Sequence, residues 1–275
     1  MNWDWQVFCK DIITSEAVPG CFGRGEDFTY LNWIFKAWGW TVSVSAGALV
    51  LALVVGCVIG VMRTLPQDRA GGRFWNAFAT AWVELFRNIP LLVQVFIWYF
   101  VFPALMPVLK TVPSFVLVVC ALGFFTSARI AEQVRAGIQS LPRGQRYAGQ
   151  ALGMQTWQTY RYVLMPMALR IILPPLTSES MNLVKNSAAA FAVSIAELTQ
   201  YAMQVAEETS RPIEVYLAVT VLYIVTAFAI NRILGFIEKR TRVPGLIAAS
   251  RTPGGRRWLL SFSAPLLGRS FKSIF

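Results

Sequence analysis

Histidine is absent from all 275 residues, which removes the commonest general base and the commonest metal ligand in one observation. No G-x-x-x-x-G-K-[ST] run occurs, so the chain is not expected to hydrolyse nucleotide by itself. There is no G-x-S-x-G elbow, and the four cysteines, at 9, 21, 57 and 120, show no zinc-ligand spacing. Carboxylates are scarce, 14 against 25 lysines and arginines. Glu84, Glu132 and Glu179 alone lie within or beside the central segments, and none has an evident partner for acid–base work. No catalytic residue, metal site or cofactor is expected. A solute moved uphill by this chain draws its energy from an ion gradient or from another subunit.

Charge itself is missing over long stretches: 37–62, 88–109, 111–128 and 215–231 contain no charged side chain. With 56% hydrophobic and 14% charged residues, the composition is that of a membrane protein. A bilayer core needs about 20 apolar residues as helix. These runs do not alternate with period two, so they are expected to be helices and not barrel strands. The start, MNWDWQVFCK, has acids and no basic n-region, so no cleaved leader is expected.

The cations that are present cluster. Arg63, Arg69 and Arg73 follow the first run. Arg129, Arg135, Arg143, Arg146 and Arg161 follow the third, and more follow the last, from Arg232 onward. The stretches 102–113 and 186–214 are poor in them. The positive-inside rule then predicts an exterior N-terminus, a cytoplasmic C-terminus and an odd number of membrane helices, of which five fits. The reading is all-α and polytopic. An exterior segment covers 1–36, a membrane domain 37–240 and a basic cytoplasmic tail 241–275. That tail either lies on an anionic leaflet or is disordered.

Within this frame Trp3, Trp5, Trp33, Trp38 and Trp40 read as interface anchors. Cys9 and Cys21 both fall outside, where a disulfide is permitted if the compartment oxidises and free thiols are the alternative. Gly56-x-x-x-Gly60 allows close helix contact. Pro90 is expected to kink or restart a helix over 71–87, with 91–102 completing the second span. The fourth membrane element reads as discontinuous. Arg170, Glu179, Pro174-Pro175 and Lys185-Asn186-Ser187 interrupt its apolar residues, as in transporters whose broken helices build central sites. Arg170 and Lys185 either face such a site or snorkel to the interfaces.

The polar insert RGQRYAGQALGMQTWQTYRYVLMP, 143–166, stands between apolar flanks. Ala148, Ala151, Leu152 and Gln155 share one helical face, and Gly153 is expected to turn the chain between two short helices that fit a groove in a partner. A second helix over 156–164 leads to Pro166 and the membrane.

This insert resembles the cytoplasmic loop of ABC importer permeases, E-A-A-x-x-x-G-x₉-I-x-L-P. Ala148, Gly153, Val163 and Pro166 match it, while Tyr147, Gly149 and Met165 depart from it. The flanks VELFRNIPLLVQVFIWY (83–99), ARIAEQVRAGIQSLPRGQ (128–145) and ALRIILPPLTSESMNLVKNS (168–187) resemble the polar amino acid branch of that family. The Asn of FRNIP and the Ser-Ala after KN look closest to glutamate/aspartate importer permeases. The resemblance implies a bacterial inner-membrane permease paired with an identical or sister permease. It also implies a dimer of cytoplasmic ATPases on the loop, a coupling segment of about 138–166, and an extracytoplasmic solute-binding protein that delivers the amino acid. On that basis Arg143, Gly144, Ala148, Gly153 and Arg161 are the coupling candidates. Glu84, Arg87, Asn88, Lys185, Asn186 and Ser187 are the candidates for the solute path, with Arg87 and Lys185 as interfacial anchors the other reading. An ion-coupled transporter or channel acting alone is the alternative function. It calls for internal repeats and paired intramembrane acids, neither of which is evident.

Overall fold

The computed structural model describes residues 3–23, 28–67 and 70–241; the basic tail from 242 onward lies outside them. Among the described residues the long elements are all helices: α1 (Tyr30–Met62), α2 (Ala70–Asn88), α3 (Leu91–Phe96), α4 (Phe102–Leu105), α5 (Ser114–Gln139), α6 (Arg143–Ala151), α7 (Thr156–Thr159), α8 (Met165–Asn186), α9 (Leu198–Thr209) and α10 (Pro212–Thr241). Helices α1, α5 and α10 are long and apolar enough to cross a membrane. α1 starts at Tyr30, earlier than its charge-free run, because the Thr29 hydroxyl accepts the Asn32 N–H and caps it.

The second apolar segment restarts after Pro90, as expected, with a sharp change of direction. α3 and α4, joined by a π turn at Ile97–Val101, do not prolong α2 but bend from it by 104°. Pro90 lacks the N–H that would continue the helix. The buried Gln94 side chain then takes up the freed carbonyls, donating to Phe86 O at 2.9 Å and Ile89 O at 3.0 Å.

The fourth element is discontinuous, as expected, and of the interruptions read in it the one at Lys185-Asn186-Ser187 is the break. α8 runs unbroken through Pro174 and Pro175, and the discontinuity falls at Ser187, where a 3-10 stretch (Ser187–Val193) ends in a left-handed Ser194. Paired prolines inside a helix are tolerated where neighbouring groups hold the freed carbonyls. At its other end α8 continues directly from α7 through a π turn, Tyr160–Leu164, which accommodates Pro166.

The core is the seam between α1 and α5, which run side by side in the same direction. Gly56 and Gly60 make it possible. A Cβ on Gly56 would stand 2.7 Å from Ile130 Cβ, and one on Gly60 2.6 Å from Val134 Cβ. The partner of the Gly-x-x-x-Gly motif is thus a helix of the same chain. A second cluster joins Val7, Phe8, Tyr30 and Ile34 to Leu198, Tyr201, Val205 and Val215, so the N-terminal segment is docked on α1, α9 and the start of α10. Cys9 and Cys21 are joined by a disulfide. Between them Asp11 accepts backbone N–H groups from Thr14, Phe28 and Ile13 at 2.8–2.9 Å. These hold its carboxyl below the ordinary range.

Candidate functional site: the loop after α5 and the ion-paired seam

The insert folds as an α6–turn–α7 unit. After α6 the chain closes in a Schellman motif: Met154 N–H donates to Gly149 O at 3.1 Å and Gly153 N–H to Gln150 O at 2.9 Å. Gly153 has φ of +75°, the left-handed conformation that makes glycine the suitable residue there. Gln155 N–H then donates to the Gln158 side chain at 2.8 Å and starts α7. Gly149 is buried against Thr159, whose Cγ2 would lie 2.9 Å from an added Cβ. The glycine that departs from the family loop therefore brings α6 and α7 together.

The opposite face of α6 is open. Ala148, Ala151 and Leu152 are exposed, Leu152 at 77%, beside Tyr147 at 64%. Arg143 and Gly144 are exposed at its first turn. Arg161 stands apart from these four candidates. It lies on the π turn leading to α8, stacked on Trp157 and beside α1.

The solute-path candidates form two groups. On α2 the exposed Asn88 donates to Glu84 Oε2 at 3.2 Å. Arg87, exposed over 54% of its side chain, reaches Glu132 of α5 at 3.8 Å. At the end of α8, Lys185 is exposed, Asn186 half-buried, and Ser187 buried with its hydroxyl donating to Val184 O at 2.7 Å. α3, which starts just after Asn88, packs on the 3-10 stretch that begins at Ser187, so the two groups adjoin through neighbouring elements without direct bonds between them.

The carboxylates without evident partners in the sequence have them in space. Glu132 binds Arg63 at the end of α1, Arg135 one turn along α5 at 2.8 Å, and Arg87 of α2. Glu179 of α8 accepts from Arg129 of α5 at 3.1 Å. Arg129, read from the sequence as a topology marker, thus ties α5 to α8, while Arg135 holds Glu132 from within α5. Glu197, fully buried, was likewise not singled out. It caps α9 by accepting from Thr199 N and Gln200 N, and joins α10 through the Tyr223 hydroxyl at 2.8 Å. An acid immediately before an amphipathic run is the signal that pointed to that cap. Among the described residues no cluster of acids and cysteines has the make-up of a metal site.

The family model described as "Binding-protein-dependent transport system inner membrane component" matches residues 52–243. The glutamate/aspartate import permease protein GltJ of Escherichia coli K12 is 38% identical over 89% of this chain and 97% of its own. The glutamine transport system permease protein GlnP of the same strain is 33% identical over 74% and 90%. Among solved structures, an amino acid ABC transporter with histidines is 30% identical, with a TM-score of 0.65, over 77% of this chain and 95% of that one. The MetNI methionine ABC transporter in an inward-facing state shares the fold, with a TM-score of 0.66 at 22% identity over 78% and 98%. The chain belongs to the binding-protein-dependent transport system inner membrane components, the permease subunits of ABC transporters.

Proposed function

We propose that this chain is the permease subunit of an ATP-driven importer of acidic amino acids, glutamate or aspartate, and that α6 and the Gly153 turn receive a separate ATPase. The observation that carries the reading is the open apolar face of α6, Ala148, Ala151 and Leu152, on a unit held rigid by a Schellman turn and the Gly149–Thr159 contact. A loop built this firmly with its apolar side uncovered calls for a docking partner. Arg143 and Gly144 belong to the same surface. ATP-driven closure of paired ATPases would draw two such loops together and rock the helices attached to them. Each ligand would act through its differential affinity for the two states.

The substrate class follows the relatives named for glutamate and aspartate and the cations of the path. Arg87 offers a guanidinium fork and Lys185 a point charge, beside the donors Asn88, Asn186 and Ser187. A second permease and an extracytoplasmic binding protein complete the assembly. The Cys9–Cys21 disulfide supports an exterior N-terminus, since such bonds persist in oxidising compartments. Five spans with a cytoplasmic C-terminus follow if α8 is the fourth.

Vesicles carrying the chain with its ATPase, second permease and binding protein are expected to accumulate glutamate only when ATP is inside. Uptake driven by a sodium or proton gradient alone would overturn the reading. Gly153→Val, which places a β-branched residue at positive φ, is expected to abolish ATP-driven uptake while membrane insertion stays intact. Normal uptake by that variant would remove the docking assignment.

A further inference from the structure

Arg161 was set apart from the docking face of α6, and its surroundings have a chemistry of their own. The last turns of α1 and the root of the loop enclose a groove of about 830 Å³. Its walls are Val58, Val61 and Met62 on one side and Trp157 and Met165 on the other, with Arg161 beside them. Val58 is about half exposed although it belongs to a membrane-spanning helix, so this wall is open.

Arg161 is held in a particular way. Its guanidinium lies 5.3 Å from the Trp157 ring centroid and 5.9 Å from that of Tyr162, and both rings are exposed. The two neighbouring rings hold the cation beside the groove by cation–π attraction, and a guanidinium held this way still has N–H donors to offer an anion. Between Glu132 and Glu179 the chain carries Arg135, Arg143, Arg146, Arg161 and Arg170 and not one acid. The region is complementary to negative charge. Tyr160 lines both this groove and a polar recess shared with Arg143, Arg146 and Gln139. The apolar walls therefore run from a membrane helix to the Arg161 cation.

We propose that this groove holds one anionic phospholipid, its acyl chain along Val58, Val61 and Met62 and its phosphate on the Arg161 fork. A basic pocket beside a membrane helix, at the level where the helix ends, has the form that takes lipid headgroups. Trp157 and Tyr162 supply the amphipathic rings expected at that depth. The inference rests on α1 spanning the membrane and is independent of the docking assignment.

The test uses the purified full chain in detergent, exchanged into dioleoyl phosphatidylglycerol or dioleoyl phosphatidylcholine, with retained lipid counted by native mass spectrometry. The wild type is expected to retain phosphatidylglycerol about tenfold more tightly than phosphatidylcholine. Arg161→Gln is expected to bring the two lipids level, and Arg161→Lys to fall between, which separates headgroup recognition from misfolding. Val58→Trp, which fills the groove with Arg161 intact, is expected to release both lipids. Equal retention of the two lipids by the wild type would overturn the proposal, as would an unchanged preference in Arg161→Gln. So would cross-linking of Val58→Cys to a second permease in the assembled transporter, which would make the groove a subunit interface. The lipid-retention readings need neither the ATPase nor a transported solute, so a failed transport reading would leave them standing.

Discussion

Helices α5 and α10 have nearly the same mean hydropathy, 1.9 and 2.1, yet 56% of the apolar window of α5 is buried and only 22% of that of α10. In lipid, apolar side chains alone gain little by leaving one apolar neighbour for another. What gathers helices around α5 is shape and charge. It receives Gly56 and Gly60 of α1, offers Gly137 to Ile172 of α8, and carries Arg129 and Glu132 into ion pairs with three other helices. α10 has fewer such devices. It is fastened near its start by Val215 and Val219, by Glu214 to the Asp4 backbone, and by Thr226 to Trp38 at 2.7 Å. Leu217, Val221, Ile224 and Phe228 are left exposed. Hydropathy located both helices, and small residues and paired charges decided which became the hub.

The comparison can be broken most forcefully at Glu132. Glu132→Ala leaves the Arg63 guanidinium, 14% exposed, without its counter-charge, and is expected to cost about 3–5 kcal/mol, read as a fall in thermal unfolding temperature. An unchanged temperature would show that the seam does not depend on its ions. Next comes Gly60→Leu, which forces α1 away from α5 at a cost of about 1–3 kcal/mol. Val225→Leu on the open face of α10 should stay within about 0.5 kcal/mol, and equal effects in gel filtration and thermal unfolding would erase the distinction between the two helices. Arg87→Ala removes the outermost cation of the Glu132 cluster. At 3.8 Å and half exposed, it should change stability by less than about 1 kcal/mol. Uptake of acidic solutes should fall more than that of neutral ones if Arg87 lines the path, and equal loss for both would mark it as an anchor only.

The smallest effect is expected far from the hub, in the disulfide-stapled N-terminal segment. The Asp11 carboxyl is lowered by its backbone donors. Its contribution is present above the unfolded value of about 3.9 and is lost as pH falls towards the folded one. Protection of the Ile13, Thr14 and Phe28 amides, taken relative to the intrinsic exchange rate at each pH, should therefore fall below about pH 4. In Asp11→Asn that protection should be low and independent of pH, and an unchanged protection profile in that variant would remove the assignment.

Much of the loop between α5 and α8 was legible in the sequence because its information is local. Gly153 between two short amphipathic stretches is a turn whatever surrounds it. The ion pairs were not legible. Arg129 and Glu179 lie 50 positions apart, and Arg129 also satisfies the positive-inside count, so nothing along the chain distinguished the two uses. Of the interruptions read in the fourth element, Pro174-Pro175 and Lys185-Asn186-Ser187, the sequence did not say which would break the helix, for a related reason. Prolines disrupt an isolated helix, but α8 is packed along α5 and runs through them. Gln94 went unnoticed, although a buried amide four residues after Pro90 is the kind of group that can satisfy carbonyls a proline frees.

By itself the sequence determined that this is a helical membrane protein, that it contains no histidine and no nucleotide-binding phosphate loop, and that a patterned polar insert separates two of its apolar segments. These follow from composition and short-range periodicity, which each stretch of chain carries independently of its neighbours. Only the tertiary structure decided which apolar helix became the hub, how sharply the second segment bends, and that Arg161 lies beside a groove along α1 while Ala148 and Leu152 face outward. Those outcomes depend on distances between residues remote in the chain, and in a bilayer they are set by close packing and charge pairing, which hydropathy does not record.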